Sequence, residues 1–460
     1  MSSEWPLVRI EDIAANQPSA MATGPFGSSI SAKFFQESGI PVIRGSNLSA
    51  DVQIKIDDSG LVFVSKDKAK EFPRCIVSNG DLVFTCWGTI NQVGLIDDTA
   101  TYQKYLISNK QMKLTVDRTK ADPRFVYYVF SGPTKQSEII ENGIGSSVPG
   151  FNLGQLRKHS FRLPPLEEQQ AIADLLDIFS NRIALLRETN ATLEAIAQAL
   201  FKSWFVDFDP VHARARGEEP IGLSPEVAAL FPASFEESAL GMIPEGWLPT
   251  MLGDVCKFQK GCSYKGAGLS NDSGAYMFNL GCFNGPRIFA FENIKRYTGD
   301  YKPRHEVVAG DLIVANTDMT QMRDILGRPL IVPSGYEKAF ISHHVFRVEF
   351  PRLEEQKLLR NFLFFAFGLP EFRERAVGFA TGTTVLGLPK DALDGYQMVV
   401  PAKEVLAAFN KVCEPILAKI EANHHKAQIL ATLRDTLLPR LISGQLQLPK
   451  AEDVLHEAGI

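Results

Sequence analysis

One plan is written twice along this chain. A strand-like stretch ending in Gly80-Asp81-Leu82-Val83-Phe84 returns as Gly310-Asp311-Leu312-Ile313-Val314, an offset of 230 residues, and the offset is 237 at Pro164 and Pro401, each of which precedes a long heptad-patterned segment. Trp5 to Asp12 pairs in the same way with Trp247 to Asp254, Leu106-Ile107-Ser108 with Phe340-Ile341-Ser342, and Gly145-Ser146-Ser147-Val148 with Gly382-Thr383-Thr384-Val385. A solenoid unit runs to roughly 20 to 50 residues, so a period this long is duplication of a whole domain. The plan therefore predicts two similar structures related by a pseudo-two-fold, doing one thing at two places.

Each copy divides into a mixed head and a helical tail. In the first head, short apolar runs such as Ile40-Pro41-Val42-Ile43 and Gly94-Leu95-Ile96 alternate with Gly, Asn, Ser and Asp turns, and one helix-like segment falls at Phe125 to Phe130. The second head repeats the scheme, with its helix-like segment at Leu358 to Phe367. That pattern suits an α+β class better than a βαβ array. The expected boundaries are a first head over 1–163, a central helix over 164–206, a linker over 207–246, a second head over 247–400, a C-terminal helix over 401–445 and a tail over 446–460. The linker is assigned by its Pro, Gly, Glu and Ala content, and its interspersed Leu and Phe suggest that it lies along a surface.

The tails carry the sharpest pattern. Ile172, Leu176, Phe179, Ile183, Leu186, Asn190, Leu193, Ala197, Leu200 and Trp204 alternate steps of four and three without a break, the seam of a coiled coil. Phe409, Cys413, Ile416, Ile420, Asn423, Ala427, Leu430, Arg434, Leu437 and Leu441 repeat it more loosely, with Asn423 and Arg434 polar and Pro415 lacking a backbone donor. Two seams of equal length predict that the tails pair with each other, against the alternative that each packs only on its own head. Centring antiparallel seams on one another sets Asn190 opposite Asn423, where the two amides would satisfy each other and fix the register; the alternative is that each lies at a solvated edge. A seam of this length spans on the order of 48 Å.

Composition narrows the class without naming the task. A chain of 460 residues that is 45% hydrophobic and 22% charged can build two ordinary domains with connecting helices. No apolar run approaches the roughly 20 residues of a membrane span, and the first residues lack the basic and apolar regions of a signal peptide, so the expected address is the cytoplasm. The six cysteines form no C-x-x-C pair and no zinc spacing, which points to buried reduced thiols. A net charge of -5 argues against a surface coated in basic patches but leaves room for local ones. Catalytic motifs do not appear: there is no phosphate-cradling Gly-x-x-x-x-Gly-Lys, Val148 stands where a dinucleotide loop needs its third glycine, and Asp209-Pro210-Val211-His212 lacks the second proline and the aromatic of an amino-methyltransferase. What remains is a pair of polar loops at matching places, Thr85 to Gln92 and Ala315 to Arg323, whose Asn, Gln, Arg and Thr side chains suit base edges.

At this point the residues resemble a family. Phe161-Arg162-Leu163-Pro164-Pro165-Leu166-Glu167-Glu168-Gln169-Gln170, Lys202-Ser203-Trp204-Phe205-Val206-Asp207-Phe208-Asp209-Pro210-Val211 and Leu240-Gly241-Met242-Ile243-Pro244-Glu245-Gly246-Trp247 look like the central conserved region of type I restriction-modification specificity subunits. Asn316 to Gln321 and Leu437 to Gly444 are similar to the same family. The resemblance implies that each head is a target-recognition domain for one half of a split, asymmetric site in double-stranded DNA. It implies too that the helices form an antiparallel coiled coil that sets the gap and docks two methyltransferase subunits. Restriction and translocase subunits would complete the complex. The chain itself would be no enzyme: S-adenosylmethionine, ATP and magnesium would bind only partner subunits, with no cofactor, metal or membrane contact here. The candidate DNA contacts on this reading are Arg44, Asn47, Trp87, Thr89, Asn91, Gln92, Ser146 and Ser147 in the first head, and Asn316, Thr317, Asp318, Gln321, Arg323, Thr383 and Thr384 in the second. The second copy departs from the pattern at Val399-Val400-Pro401-Ala402-Lys403-Glu404, which implies a different docking surface there. A duplicated coiled-coil scaffold for protein partners is the competing expectation.

Overall fold

The repeated Gly-Asp pair marks the same turn in both heads. Gly80 and Gly310 sit at φ 90° and 89°, backbone that a side chain would strain. The aspartate that follows turns its carboxylate back onto the amide three residues earlier: Asp81 accepts from Ser78 at 2.8 Å, and Asp311 from Val308 at 3.0 Å. Each turn then releases the chain into a fully buried strand, Asp81–Thr85 or Leu312–Ala315.

The computed structural model describes residues 5–145, 149–285, 287–320 and 323–448. The chain folds as two units, Met1–Leu185 with Lys426–Ile460, and Leu186–His425. The expected division between heads and tails, at 163/164 and 400/401, is not where the units part. They part inside both long helices, Leu166–Phe205 and Lys403–Ile442, because each half-helix packs on the head of its own unit. Pairing of the tails with each other and packing of a tail on a head, posed as alternatives, occur together.

In the first unit an antiparallel sheet runs in the order Met21–Thr23, Gln111–Thr115, Asp81–Thr85, Val93–Leu95. A second sheet runs Val62–Val64, Ile40–Ile43, Lys104–Ile107, Ile76–Ser78, with one parallel pairing, Val42 beside Leu106. The helix Pro123–Ser131, capped by Asp122, buries Phe125, Tyr127, Tyr128 and Phe130. The second unit repeats the first sheet as Lys257–Lys260, Val345–Glu349, Leu312–Ala315, Pro329–Ile331. Its other sheet also has one parallel pair, Met277 beside Phe340, and gains an edge strand, Leu269–Ser270. Even the pairing of the first strand with the last recurs, as Leu7 with Arg162 and Leu248 with Val400. Duplication is thus visible in strand order as well as in sequence.

Both tails are unbroken helices of 40 residues, Pro415 included. Within the second unit, rising residue numbers on the central helix meet falling numbers on the C-terminal one: Asn190 bonds Asn423, and Trp204 lies 5.9 Å ring to ring from Phe409, so the pair is antiparallel. Asn423 Nδ2 donates to Asn190 Oδ1 at 2.9 Å, and Asn190 Nδ2 donates to the Ile420 carbonyl at 3.0 Å. Asn423 is buried and Asn190 half-buried. Arg434 is buried too, its guanidinium paired with the neighbouring Asp435 at 2.7 Å.

Residues 207–246 form a packed module rather than a linker. The helix Asp209–Ala215 and the hairpin of Phe235–Ser238 with Gly241–Pro244 bury Val211, Phe231 and Ile243. Phe231 meets Trp204 edge to face at 5.0 Å. A few apolar anchors outweigh a polar composition here, because they pack both on the helix end and on one another, as His212 does on Phe235 at 4.6 Å. Five of the six cysteines are buried and Cys262 is half-buried; burial pushes the Cys86 thiol up to about 11 and that of Cys413 to about 12. Among the described residues no helix is long and apolar enough to cross a membrane.

Candidate nucleic-acid interface

In the first head, the ends of three strands converge on a cleft of about 590 Å³. Arg44 and Ser46 come from the turn after Ile40–Ile43, Thr85 to Gln92 from the loop after Asp81–Thr85, and Asn109 and Lys110 from the turn after Lys104–Ile107. The loop is held from within: Thr85 Oγ1 donates to the Thr89 carbonyl at 2.5 Å and accepts from the Gln92 amide at 3.3 Å. Its other edge is fixed by Gly88 N donating to the Pro149 carbonyl at 3.0 Å. Trp87 bridges to Gly150, where a Cβ would lie 2.7 Å from the indole, so only glycine lets the ring settle there. The indole is nevertheless 51% exposed, an unusual state for tryptophan and one suited to stacking.

The chemistry of this cleft is one-sided. Arg44 and Lys110 line it and, among the described residues, no carboxylate does. Arg44 Nη2 donates to the Gly60 carbonyl at 2.8 Å, which leaves its buried Nε without a partner. Beneath Gly45, Gln111 is fully buried with its Nε2 also unpartnered. Two cations, an open indole and the amides of Gln92 and Asn109 are the groups that hold phosphate, stack on a base and read a base edge.

The other candidates fall into three sets. Asn47 is fully buried: its Oδ1 accepts from Arg44 N at 3.0 Å and its Nδ2 donates to Asp57 O at 2.9 Å, so it braces the turn that presents Arg44. Thr89 is exposed and Asn91 half-buried at the loop, whereas Ser146, Ser147 and Gln321 lie outside the described residues. In the second head, Asn316, Thr317 and Asp318 are interior. Asn316 Nδ2 donates to the His343 carbonyl at 3.2 Å, Thr317 Oγ1 donates to Asn316 Oδ1 at 2.8 Å, and Asp318 accepts from Thr320 N, Ile325 N and Leu326 N at 2.6, 2.7 and 3.0 Å. Burial opposes ionisation of Asp318, but these donors outweigh it and hold the carboxyl below its ordinary range. Those three side chains shape a loop and are not free to touch a base in this conformation. Arg323, Thr383 and Thr384 are exposed, and Thr317 pairs with Gly387 as Trp87 bridges to Gly150. Asn109 and Lys110 were missed; the signal was there, since they follow the repeated Leu106-Ile107-Ser108 in a polar turn.

No group of three or more His, Cys, Asp or Glu among the described residues is arranged to hold a metal ion. His424 stacks on Phe291 at 3.5 Å, and burial with the neighbouring His425 lowers its pKa to about 4, the behaviour of a packed ring.

A family model described as "Type I restriction modification DNA specificity domain" matches residues 3–195. The type I restriction enzyme MjaIX specificity subunit of Methanocaldococcus jannaschii is 22% identical over 453 residues, covering 97% of this chain and 94% of that one. The chain is thus similar to type I specificity subunits. The HindI specificity subunit of Haemophilus influenzae is 24% identical over 388 residues, covering 74% and 81%. In fold, the chain is similar to the crystal structure of the type I restriction-modification system S subunit from M. genitalium, with a TM-score of 0.55 at 14% identity and coverage of 95% and 96%. The Pro-Pro-Leu-Glu-Glu-Gln run, Pro164 to Gln169, also has a physical role. Gln169, 1% exposed, accepts from Asp122 N at 2.9 Å and donates to Pro164 O at 2.8 Å, tying the start of the central helix to the cap of the head's own helix.

Proposed function

We propose that this chain is a specificity subunit that directs a type I restriction-modification complex to a bipartite, asymmetric site in double-stranded DNA, one half read by each head. The observation that supports this best is that two heads of one strand order differ at the same loop. One presents Arg44, Trp87, Gln92 and Lys110 around a cleft, and the other presents Arg323, Thr383 and Thr384 over a buried Asn-Thr-Asp brace. Similar frames with different side chains are what an asymmetric site requires. The paired helices set the spacing between half-sites through a register held by Asn190 and Asn423, and their outer faces dock two methyltransferase subunits. Methylation and cleavage belong to those subunits and to the restriction subunit, which bind S-adenosylmethionine, ATP and magnesium; this chain contributes no catalytic group and acts in the cytoplasm.

The test is methylation mapping in cells with the cognate methyltransferase, with and without this gene, and with residues 44–92 exchanged for those of a relative. The expected outcome is a bipartite motif that disappears without the gene and changes in one half only on exchange. An unchanged methylome sinks the reading, and change in both halves sinks modular readout. Within the same assay, Trp87→Ala weakens binding about 10- to 100-fold, in line with about 1–3 kcal/mol for a stacked base.

A further inference from the structure

The second unit contains a cavity of about 430 Å³ that the DNA-reading role does not use. Its floor is apolar, made by Phe201 and Val206 from the end of the central helix and by Phe364, Phe365 and Leu369. Its rim is cationic: Lys202, Arg287, Arg328 and Arg373 line it, against a single carboxylate, Glu371. Two of those cations are neutralised nearby, Lys202 by Asp207 and Arg287 by Glu292 at 2.7 Å. Arg328 and Arg373 are different. Arg328 Nη1 donates to the Phe283 carbonyl at 3.3 Å and Arg373 Nη2 to the Arg323 carbonyl at 3.3 Å, long bonds to neutral acceptors. Burial, then the proximity of Arg328, disfavours charge on Arg373, although Asp324 and Asp318 favour it. Both arginines line the mouth of an apolar cavity, and among the described residues neither forms a direct ion pair with a carboxylate.

The equivalent place in the first unit is closed. There the turn Gly132-Pro133 follows the head's helix as Gly368-Leu369-Pro370 does in the second, and a Cβ on Gly132 would lie 2.9 Å from Ile442 of the C-terminal helix. An aliphatic side chain fills in one unit what the other leaves open and lines with guanidinium groups. Pro370 to Glu371 also begin a nine-residue helix, whose free amides add positive potential at the rim.

We propose that this cavity is a binding site for a small aromatic anion, with the ring on Phe201, Phe364 and Phe365 and a phosphate or carboxylate bridging Arg328 and Arg373. Guanidinium forks match such oxyanions in a bidentate manner, and the apolar floor supplies what free phosphate cannot use. The full-length chain would be titrated calorimetrically with 1-naphthyl phosphate, 1-naphthol and inorganic phosphate. One equivalent of 1-naphthyl phosphate is expected to bind at least tenfold more tightly than either of the others. The double substitution R328Q/R373Q should remove that preference, and R328K/R373K should retain most of it. Melting temperature and far-UV circular dichroism report whether each variant folds; if the glutamine variant does not, the comparison of the three probes on the unsubstituted chain decides. No binding of 1-naphthyl phosphate, equal binding of 1-naphthol or inorganic phosphate, or a preference that survives R328Q/R373Q overturns the proposal.

Discussion

The two units hold their half-helices by different chemistry on a shared frame. In the first, Lys55 reaches Asp97 and Asp177 at 2.7 and 2.9 Å, Arg124 reaches Asp122, Asp174 and Asp177 at 2.9, 2.6 and 3.1 Å, and Tyr128 donates to Asp177 at 2.6 Å. Gln169 adds its hydrogen bonds at the helix start. In the second, Leu406 occupies the place of Gln169 and is buried in an apolar cluster, while Phe201, Phe205, Phe362 and Phe409 pack with centroids 5.1 to 5.7 Å apart in their nearest pairs. Duplication preserved the geometry of attachment and let its physical basis diverge. Directional, charge-dependent contacts fix orientation but depend on pH. Packed rings depend on neither charge nor proton.

The largest effect should come from breaking the apolar attachment. Phe409 is fully buried and its ring meets Phe201, Trp204 and Phe205 at 6.1, 5.9 and 5.1 Å. Phe409→Ala should destabilise the second unit by about 3–5 kcal/mol through lost burial and the cavity left behind. Hydrogen exchange read by mass spectrometry should show faster exchange across the second head and little change in the first. Equal loosening of both heads would contradict the division into two units.

Next comes the ionic attachment. Lys55→Met leaves Asp97 without its cation and Asp177 with Arg124 alone, in a site where the Lys55, Asp97 and Asp177 side chains are only 12–18% exposed, and should cost on the order of 3 kcal/mol in the first unit. This cost should vary with pH. Burial works against the Lys55 charge, but Asp177 and Asp97 outweigh it and raise its pKa above the ordinary 10.5. Stability from that shift is present below pH 10.5 and disappears as pH rises through the raised value. Burial likewise opposes ionisation of Asp97, but Lys55 and Thr99 hold its carboxyl below the ordinary 3.8, so its contribution is present above pH 3.8 and is lost as pH falls through the lowered value. The gap between the parent chain and Lys55→Met, followed by chemical denaturation, should therefore be widest at neutral pH and narrow at both extremes. A gap independent of pH would mean that packing of the Lys55 stem carries the effect.

How far such features could be read beforehand depended on whether their signal was periodic. The duplication, the two long helices and the Gly-Asp turns repeat in the chain, and repetition survives substitution at any one position. The contrast between Gln169 and Leu406 was also open to inspection, once the two proline-led runs were aligned. Other features were hidden for definite reasons. Asn316, Thr317 and Asp318 look like contact residues because they are polar and sit in a loop. Whether they face out depends on how many loop amides need an acceptor, and Asp318 alone serves three. Asn47 is hidden by the same cause. The module at 207–246 escaped because Val211, Phe231 and Ile243 are too widely spaced to show a period, and the partner surface of Val211 and Phe231 is Trp204 and its neighbours.

The smallest expected effect tests the amide pair between the two helices of the apolar unit. Asn423 is 4% exposed and its Nδ2 has Asn190 Oδ1 at 2.9 Å, while Asn190 is half-buried and spends its own Nδ2 on the Ile420 carbonyl. The two single substitutions should therefore differ. Asn190→Leu strands a buried donor on Asn423 and should cost about 2 kcal/mol, whereas Asn423→Leu leaves an acceptor that water can reach and should cost about 1 kcal/mol. Replacing both removes the unsatisfied groups together, so the double variant should be at least as stable as the better single one. That leaves a coupling of at least about 2 kcal/mol in a double-mutant cycle. What the double variant loses is the penalty against slipped registers, since leucine packs acceptably in neighbouring layers. In the methylation assay it should tolerate more than one spacer length between unchanged half-sites. Additive single costs, or a spacer as strictly chosen as before, would show that the amide pair does not set the register.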